Sequence, residues 1–211
     1  MDFVSLSELL HILCRGNCLH ICVWDLSGIL RQGPLKLDFS DQMHGLPFCD
    51  AAKATRKGYN LCLRCKGLAN HKAIKERQPF FGYCSCGLYE AVYPVVVDDG
   101  VRCIVYVGNL VVDKERTLRR LHRTCQSTGA SENVMRRCLQ SSEYGISKEE
   151  AMQAAKLVAS YIGLLCRERL PASSGTTYHW VVEMLMEYLR KHYAYPVTLR
   201  DLASVYYLNE K

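Results

Sequence analysis

The sequence predicts an α+β fold: an antiparallel sheet of about five strands with inserted and flanking helices, followed by a short all-α segment. Three observations lead there. From Phe80 to Val112 the pattern runs strand, turn, strand, turn, strand, and Asp98-Asp99-Gly100 reverses the chain between two β-branched runs. Before and after it lie long stretches of helical periodicity. Near the end, PASSGTT at Pro171 to Thr177 interrupts the chain with Pro, Ser and Gly. The predicted organisation is therefore a domain over residues 1–170, a linker over 171–177 and a helical segment over 178–211.

Element by element, SLSELLHILCR opens with a helix that Ser5 caps, with Glu8 three residues on. LHICVWDLSGILRQG then reads as two short strands reversed at Ser27-Gly28, which brings the strand count to about five. Between Ser40 and Gln78 strand character disappears, and two Lys- and Arg-rich helices interrupted near Gly58 take its place. After the three-strand region, helices are expected over 114–128, 131–139 and 147–169, the last with a capping box from Ser147 and Glu150. Its apolar positions Ala151, Ala154, Ala155, Val158, Ile162 and Leu165 form nearly one stripe, suited to core packing or to a homodimer seam through residues 147–169. Beyond the linker come an amphipathic helix, a Tyr-Pro break and a short helix that Thr198 caps with Asp201 as partner.

Composition sets the class. The 211 residues hold 27 Lys plus Arg against 21 Asp plus Glu, a modest net charge of +6, and basic runs such as KERTLRRLHR read as solvated helix faces rather than a nucleic-acid footprint. The first residues carry an acid where a secretory leader is basic, and Arg15, Gly16 and Asn17 cut their apolar run. No stretch reaches the roughly 18 consecutive apolar residues of a membrane span. The expectation is a cytoplasmic chain with no membrane partner and with its thiols reduced.

The sharpest chemical signal is Cys49, Cys62, Cys65 and Cys84 among 12 cysteines. A CxxC pair can bring two thiolates onto one ion, and further cysteines 13 residues before it and 19 after it can complete a tetrahedral set. Lys53, Arg56, Lys57, Arg64 and Lys66 flank them and would favour thiolates. Zinc and an iron–sulfur cluster both accept four thiolates, and spacing does not choose between them. Cys86, two residues from Cys84, is an alternative fourth ligand if that segment is a strand. His71 is a weaker substitute, since a lone histidine on a basic helix is ordinarily solvated. The remaining cysteines sit among apolar neighbours and read as small buried side chains.

Aromatic residues alternate along the predicted sheet. Tyr83, Tyr89 and Trp24 offer apolar walls and polar tips to a small ligand, with Glu90, the one acid on its strand, as a hydrogen-bonding partner. No nucleophile elbow, phosphate loop, HExxH or paired carboxylates occur, so the sequence offers no catalytic set. The chain reads as a binding protein rather than an enzyme.

Two segments resemble known families. Pro47-Phe48-Cys49, Gly58-Tyr59 before Cys62-Leu63-Arg64-Cys65, Tyr83-Cys84 with Gly87-Leu88, and Pro94-Val95-Val96 together resemble the PocR-type sensory domain, a PAS-like ligand-binding module of bacterial regulators. Val197-Thr198-Leu199, Asp201-Leu202-Ala203 and Leu208-Asn209-Glu210-Lys211 resemble the start of an AraC-type helix-turn-helix, cut before its recognition helix is complete. The resemblance implies a transcription regulator that detects a small molecule, small alcohols or related compounds, with DNA a partner only in a full-length form.

Overall fold

A computed structural model describes residues 4–16, 19–31, 33–140 and 146–169, together with Val182, Leu185, Met186, Leu189 and Thr198. The expectations placed on the linker and on the segment over 178–211 fall almost wholly outside the described residues. The order of elements is α1 (Leu6–Cys14), β1 (His20–Asp25), two 3-10 turns (Ile29–Arg31 and Gly33–Leu35), α2 (Phe39–Gln42), α3 (Pro47–Lys53), α4 (Arg56–Glu76), β2 (Phe80–Tyr83), β3 (Tyr89–Val97), β4 (Gly100–Leu110), α5 (Lys114–Thr128), α6 (Glu132–Gln140) and α7 (Lys148–Arg169).

Four strands, not five, form one antiparallel sheet in the order β1-β4-β3-β2. The strand expected after Ser27-Gly28 does not form, and Asp25 is the reason. Its carboxylate accepts the backbone N–H groups of Ser27, Gly28 and Leu30 at 2.8–3.0 Å, which curls the chain into a 3-10 turn and sends Leu30 into the core. The break among the next helices lies at Ala54–Thr55 rather than Gly58. Thr55 caps α4 by accepting the Gly58 N–H at 3.0 Å and donates its own hydroxyl to Thr128 O at 2.9 Å, tying the start of α4 to the end of α5. Gly58 is required there, because a Cβ would stand 2.0 Å from Ala52 O.

The sheet is buried on both faces, and alternation along the strands sorts its side chains. On one face Ile21, Val23, Ala91, Val95, Cys103, Val105 and Val107 meet α1 and α7. On the other, Cys22, Trp24, Val92, Ile104 and Tyr106 meet Tyr59, Leu63 and Ala73 of α4. A third cluster, around Phe48, Leu88, Leu121 and Met135, joins α3, α5 and α6 to the β2–β3 turn.

The stripe on α7 is core. Ala151, Ala155, Val158, Ile162 and Leu165 are fully buried against the sheet, so the seam that suggested a homodimer is occupied by β3 and β4. The capping boxes at both ends of the domain form as the sequence predicts, at Ser5 with Glu8 and at Ser147 with Glu150. Among the described residues no helix is long and apolar enough to cross a membrane.

Candidate ligand and metal site

On the α4 face of the sheet, a cavity of about 30 Å³ gathers His44, Cys49, Cys62, Cys65, Lys66, Cys84, Cys86, Glu90 and Asn109. Each residue arrives there for a local reason. Cys62, Cys65 and Lys66 stand at i, i+3 and i+4 of α4 and share one of its faces. Cys49 lies in the first turns of α3, which Pro47 opens at its N-terminal end.

Cys84 and Cys86 do not lie on a strand. They occupy a tight turn between β2 and β3, closed by the Cys84 N–H to Leu88 O at 2.8 Å and the Gly87 N–H to Cys84 O at 3.0 Å. Three side chains of α5 grip that turn by its carbonyls. Thr117 donates to Gly87 O, Arg120 to Cys84 O and Thr124 to Ser85 O, at 2.9–3.1 Å. Gly87, at φ +90, lets the turn sit on α5, since a Cβ would stand 2.9 Å from Thr117 Cα.

A β-bulge supplies Glu90 and Asn109. Tyr89 pairs with Leu110 and Ala91 with Val107, so Glu90 alone faces two residues of β4, Gly108 and Asn109. Asn109 takes the left-handed conformation at φ +72, which asparagine tolerates better than most residues. The bulge shifts the phase of β4 so that Asn109 joins Glu90 on the cavity side while Leu110 returns to the α7 side.

The polar groups are wired in series. Lys66 Nζ donates to Glu90 Oε2 at 2.9 Å and lies 3.4 Å from the centre of the Tyr106 ring, whose hydroxyl donates to Asn70. Glu90 Oε1 takes His44 Nδ1 at 3.1 Å. Cys49 Sγ donates to Asn109 Oδ1 at 3.5 Å, and Lys53 Nζ donates to His44 O. Two polar atoms in this wall have no partner: His44 Nε2 and Asn109 Nδ2. Orphaned buried polar atoms are uncommon and costly, and here two of them line one cavity.

Burial governs the titration. Desolvation, and then the Lys66 charge, hold His44 well below the usual histidine range, so its ring is neutral with Nδ1–H on Glu90 and a bare lone pair at Nε2. Burial alone would lower Lys66, and the Glu90 carboxylate more than reverses it. The thiols behave opposite to the expectation from their basic neighbours. Desolvation pushes Cys62 up to about 12 and Cys65 to about 11, and drives Cys49 well above the usual thiol value, outweighing Lys66 and Lys53. Cys84 rises through its hydrogen bond with Cys86 and then through burial. These are protonated thiols in a dry wall, not poised nucleophiles.

The structure brings together Cys49, Cys62, Cys65, Cys84 and Glu90 from the sequence-predicted set, with Cys86 beside them. It places the aromatics elsewhere. Trp24 is buried in the sheet–α4 core with Nε1 unpartnered. Tyr83 lies 4.0 Å under the Arg116 guanidinium, and Tyr89 stacks on Phe81 at 5.1 Å. His71 is exposed on α4. Among the described residues no three His, Cys, Asp or Glu side chains converge on a metal position as they stand. Sequence reasoning missed His44, Lys66 and Asn109 as wall residues. Lys66, one residue after the CxxC, carried a readable signal through helical spacing, whereas His44 in a loop and Asn109 in a bulge carried none.

The comparison with protein families agrees with this architecture. The family model described as the sensory domain found in PocR matches residues 39–170, which include every residue named in the cavity wall. No curated protein and no solved structure matches the chain. With more than half of its length matched, from α2 to the end of α7, the chain belongs to the PocR sensory-domain family.

Proposed function

We propose that this chain senses a small hydroxyl-bearing molecule in the cavity between α4 and the sheet, and passes the signal through α7 to the segment over residues 178–211. One observation carries the reading. A bare acceptor, His44 Nε2, and a bare donor, Asn109 Nδ2, line the same cavity, and a hydroxyl group is the simplest partner that donates to one and accepts from the other. The volume of about 30 Å³ suits a hydroxyl with few carbons, and the apolar surroundings accept those carbons.

Glu90 serves by fixing the histidine tautomer. With Nδ1–H committed to the carboxylate, Nε2 can only accept. A ligand shifts output only if it prefers one arrangement of α7 over another. The resemblance of residues 178–211 to an AraC-type helix-turn-helix makes transcription control the output, with DNA bound by a full-length form.

The test is thermal denaturation of reduced, chelator-treated protein with methanol, ethanol, ethylene glycol and propanediol. A binder at about 100 times its Kd stabilises by about 2.7 kcal/mol. Stabilisation by at least one of these alcohols, lost in Asn109→Leu, supports the reading. No stabilisation by any of them, or equal stabilisation in Asn109→Leu, overturns it.

A second reading is favoured by the thiol wall itself: a metal held by Cys49, Cys62, Cys65 and Cys84, as zinc or an iron–sulfur cluster, whose loss or oxidation is the signal. Elemental analysis of protein purified without air tests it. One bound metal or cluster supports it, and metal-free protein with free thiols removes it.

A further inference from the structure

We propose that the outer edge of β2 is a docking strand for an extended peptide with acidic side chains, which joins the sheet beside Phe81 and Tyr83 in antiparallel register.

β2 ends the sheet on one side, and among the described residues no segment pairs with its outer edge. The register with β3 decides which backbone groups that edge offers. The Cys84 N–H bonds Leu88 O at 2.8 Å, one pair beyond Tyr83 opposite Tyr89. Hydrogen-bonded and non-hydrogen-bonded pairs alternate along an antiparallel ladder. Gly82 and Phe80 therefore direct their groups to Glu90 and Val92, while Phe81 and Tyr83 turn N–H and C=O outward. Donors and acceptors repeated at i and i+2 are the template on which a further strand forms. Gly82, between them, leaves the other face of the edge open, since a Cβ built there meets nothing within 4 Å.

The side chains give this edge its charge. On the α7 face Phe81 stacks on Tyr89 at 5.1 Å, and Tyr83 meets the same ring edge-on at 4.8 Å. Cations border this aromatic shelf. Arg116 lies 4.0 Å and Arg120 5.6 Å from the centre of the Tyr83 ring, and Lys148 Nζ lies 5.1 Å from that of Tyr89. Arg120 is also tied to Cys84 O at 3.1 Å. Arg116 and Lys148 have no ion-pair partner among the described residues, because Glu115 pairs with Arg119 and Glu150 accepts the Ser147 N–H. Glu149, exposed in the first turn of α7, acts on Tyr89 and offsets part of the charge.

Charge selects the occupant. A second copy pairing edge to edge would bring two sets of these cations to one seam, and like charges across strands are unfavourable. An antiparallel strand with glutamates opposite Phe81 and Tyr83 instead sets its carboxylates on the shelf side, toward Arg116 and Lys148, and its glutamate N–H and C=O groups on those of β2. β2 runs directly into the turn that carries Cys84 and Cys86, so the added strand lies on the element next to the chamber.

The experiment adds a synthetic peptide of alternating threonine and glutamate to the full chain, read by fluorescence anisotropy and by amide hydrogen exchange. Two controls accompany it: the same peptide with lysine for glutamate, and a version N-methylated at its glutamates, which removes the donors that would face β2. Saturable binding is expected, with slowed exchange at Phe81 and Tyr83 and none added at Gly82, and both control peptides should fail to bind. Arg116→Glu should weaken binding by about five- to tenfold. Phe81→Pro, which removes one outward N–H at a position where an edge strand tolerates proline, should weaken it by about fivefold relative to Phe81→Ala. Equal binding of the N-methylated peptide would reduce the contact to charge attraction and overturn strand addition, as would no binding at all. A dimer of the free chain in sedimentation, dissociated by Phe81→Pro, would assign the edge to a second copy and equally overturn the proposal. The exchange measurement uses the unsubstituted chain, so it decides even where a variant fails to fold.

Discussion

Gly108 and Glu90 fit together by the absence of a side chain: a Cβ on Gly108 would stand 3.0 Å from Glu90 Cγ. The carboxylate that orients His44 is therefore placed by an empty position on the neighbouring strand. Gly108→Ala should push Glu90 from its place between Lys66 and His44 at a cost of about 1–3 kcal/mol. Chemical denaturation reads the loss of stability, and stabilisation by the alcohols should weaken with it. An unchanged midpoint together with unchanged stabilisation by the alcohols would show that Glu90 yields freely.

Two other glycines should respond in opposite directions. Gly58→Ala forces its Cβ to within 2.0 Å of Ala52 O, so α3 and α4 must part, and a loss of at least about 2 kcal/mol is expected. Gly163, inside α7, meets nothing within 4 Å of a built Cβ, so Gly163→Ala should gain about 0.8–1 kcal/mol from helix propensity alone. Paired urea melts of the two variants check the signs.

Asp25 holds the turn that replaces the expected strand. Asp25→Ala leaves three backbone N–H groups without their carboxylate acceptor, and the expected cost is about 1–3 kcal/mol. Asp25→Asn, which keeps one acceptor oxygen, should fall between the two. Equal stability of all three proteins in a urea melt would remove Asp25 as the cause of the turn.

The buried thiols make the reduced, metal-free protein sensitive to base. Burial pushes Cys22 up to about 12 and raises Cys103 well above the ordinary thiol value, with Lys66, Glu90, Cys62 and Lys53 around the first and Asp25 and Cys166 around the second. In the unfolded chain both ionise near the ordinary value of 9.0. Above that pH the unfolded chain binds fewer protons than the folded one, so stability is full below it and falls as pH rises toward the folded values. Melting temperature should therefore drop as pH rises from about 9 toward 12, and less steeply in a Cys22→Ala, Cys103→Ala double variant. Parallel slopes for the two proteins would sink the assignment.

Much of this fold was legible because its signals are local. Ser5 with Glu8 and Ser147 with Glu150 cap their helices within four residues, and Asp98-Asp99-Gly100 reverses a hairpin on its own. The strand after Ser27-Gly28 was misread because the Asp25 carboxylate outcompetes strand pairing through hydrogen bonds that leave no periodic trace. The cysteine spacing pointed to the right place, but the state of those thiols did not follow from their neighbours in sequence. Lys53 and Lys66 promised thiolates, and desolvation, which depends on the three-dimensional packing, prevailed. His44 and Asn109 were invisible for a related reason: one sits in a loop and the other owes its direction to a bulge that pairing between distant strands creates.

Alternation along β3 has a consequence for distance. Glu90 borders the cavity, while Ala91, its neighbour along the chain, packs in the same apolar cluster as Ala155, Val158 and Ile162 of α7. A single peptide plane thus separates the chamber from the face of the sheet that α7 covers. No side chain stands between the carboxylate and the far side of the sheet; one covalent step along the backbone joins them.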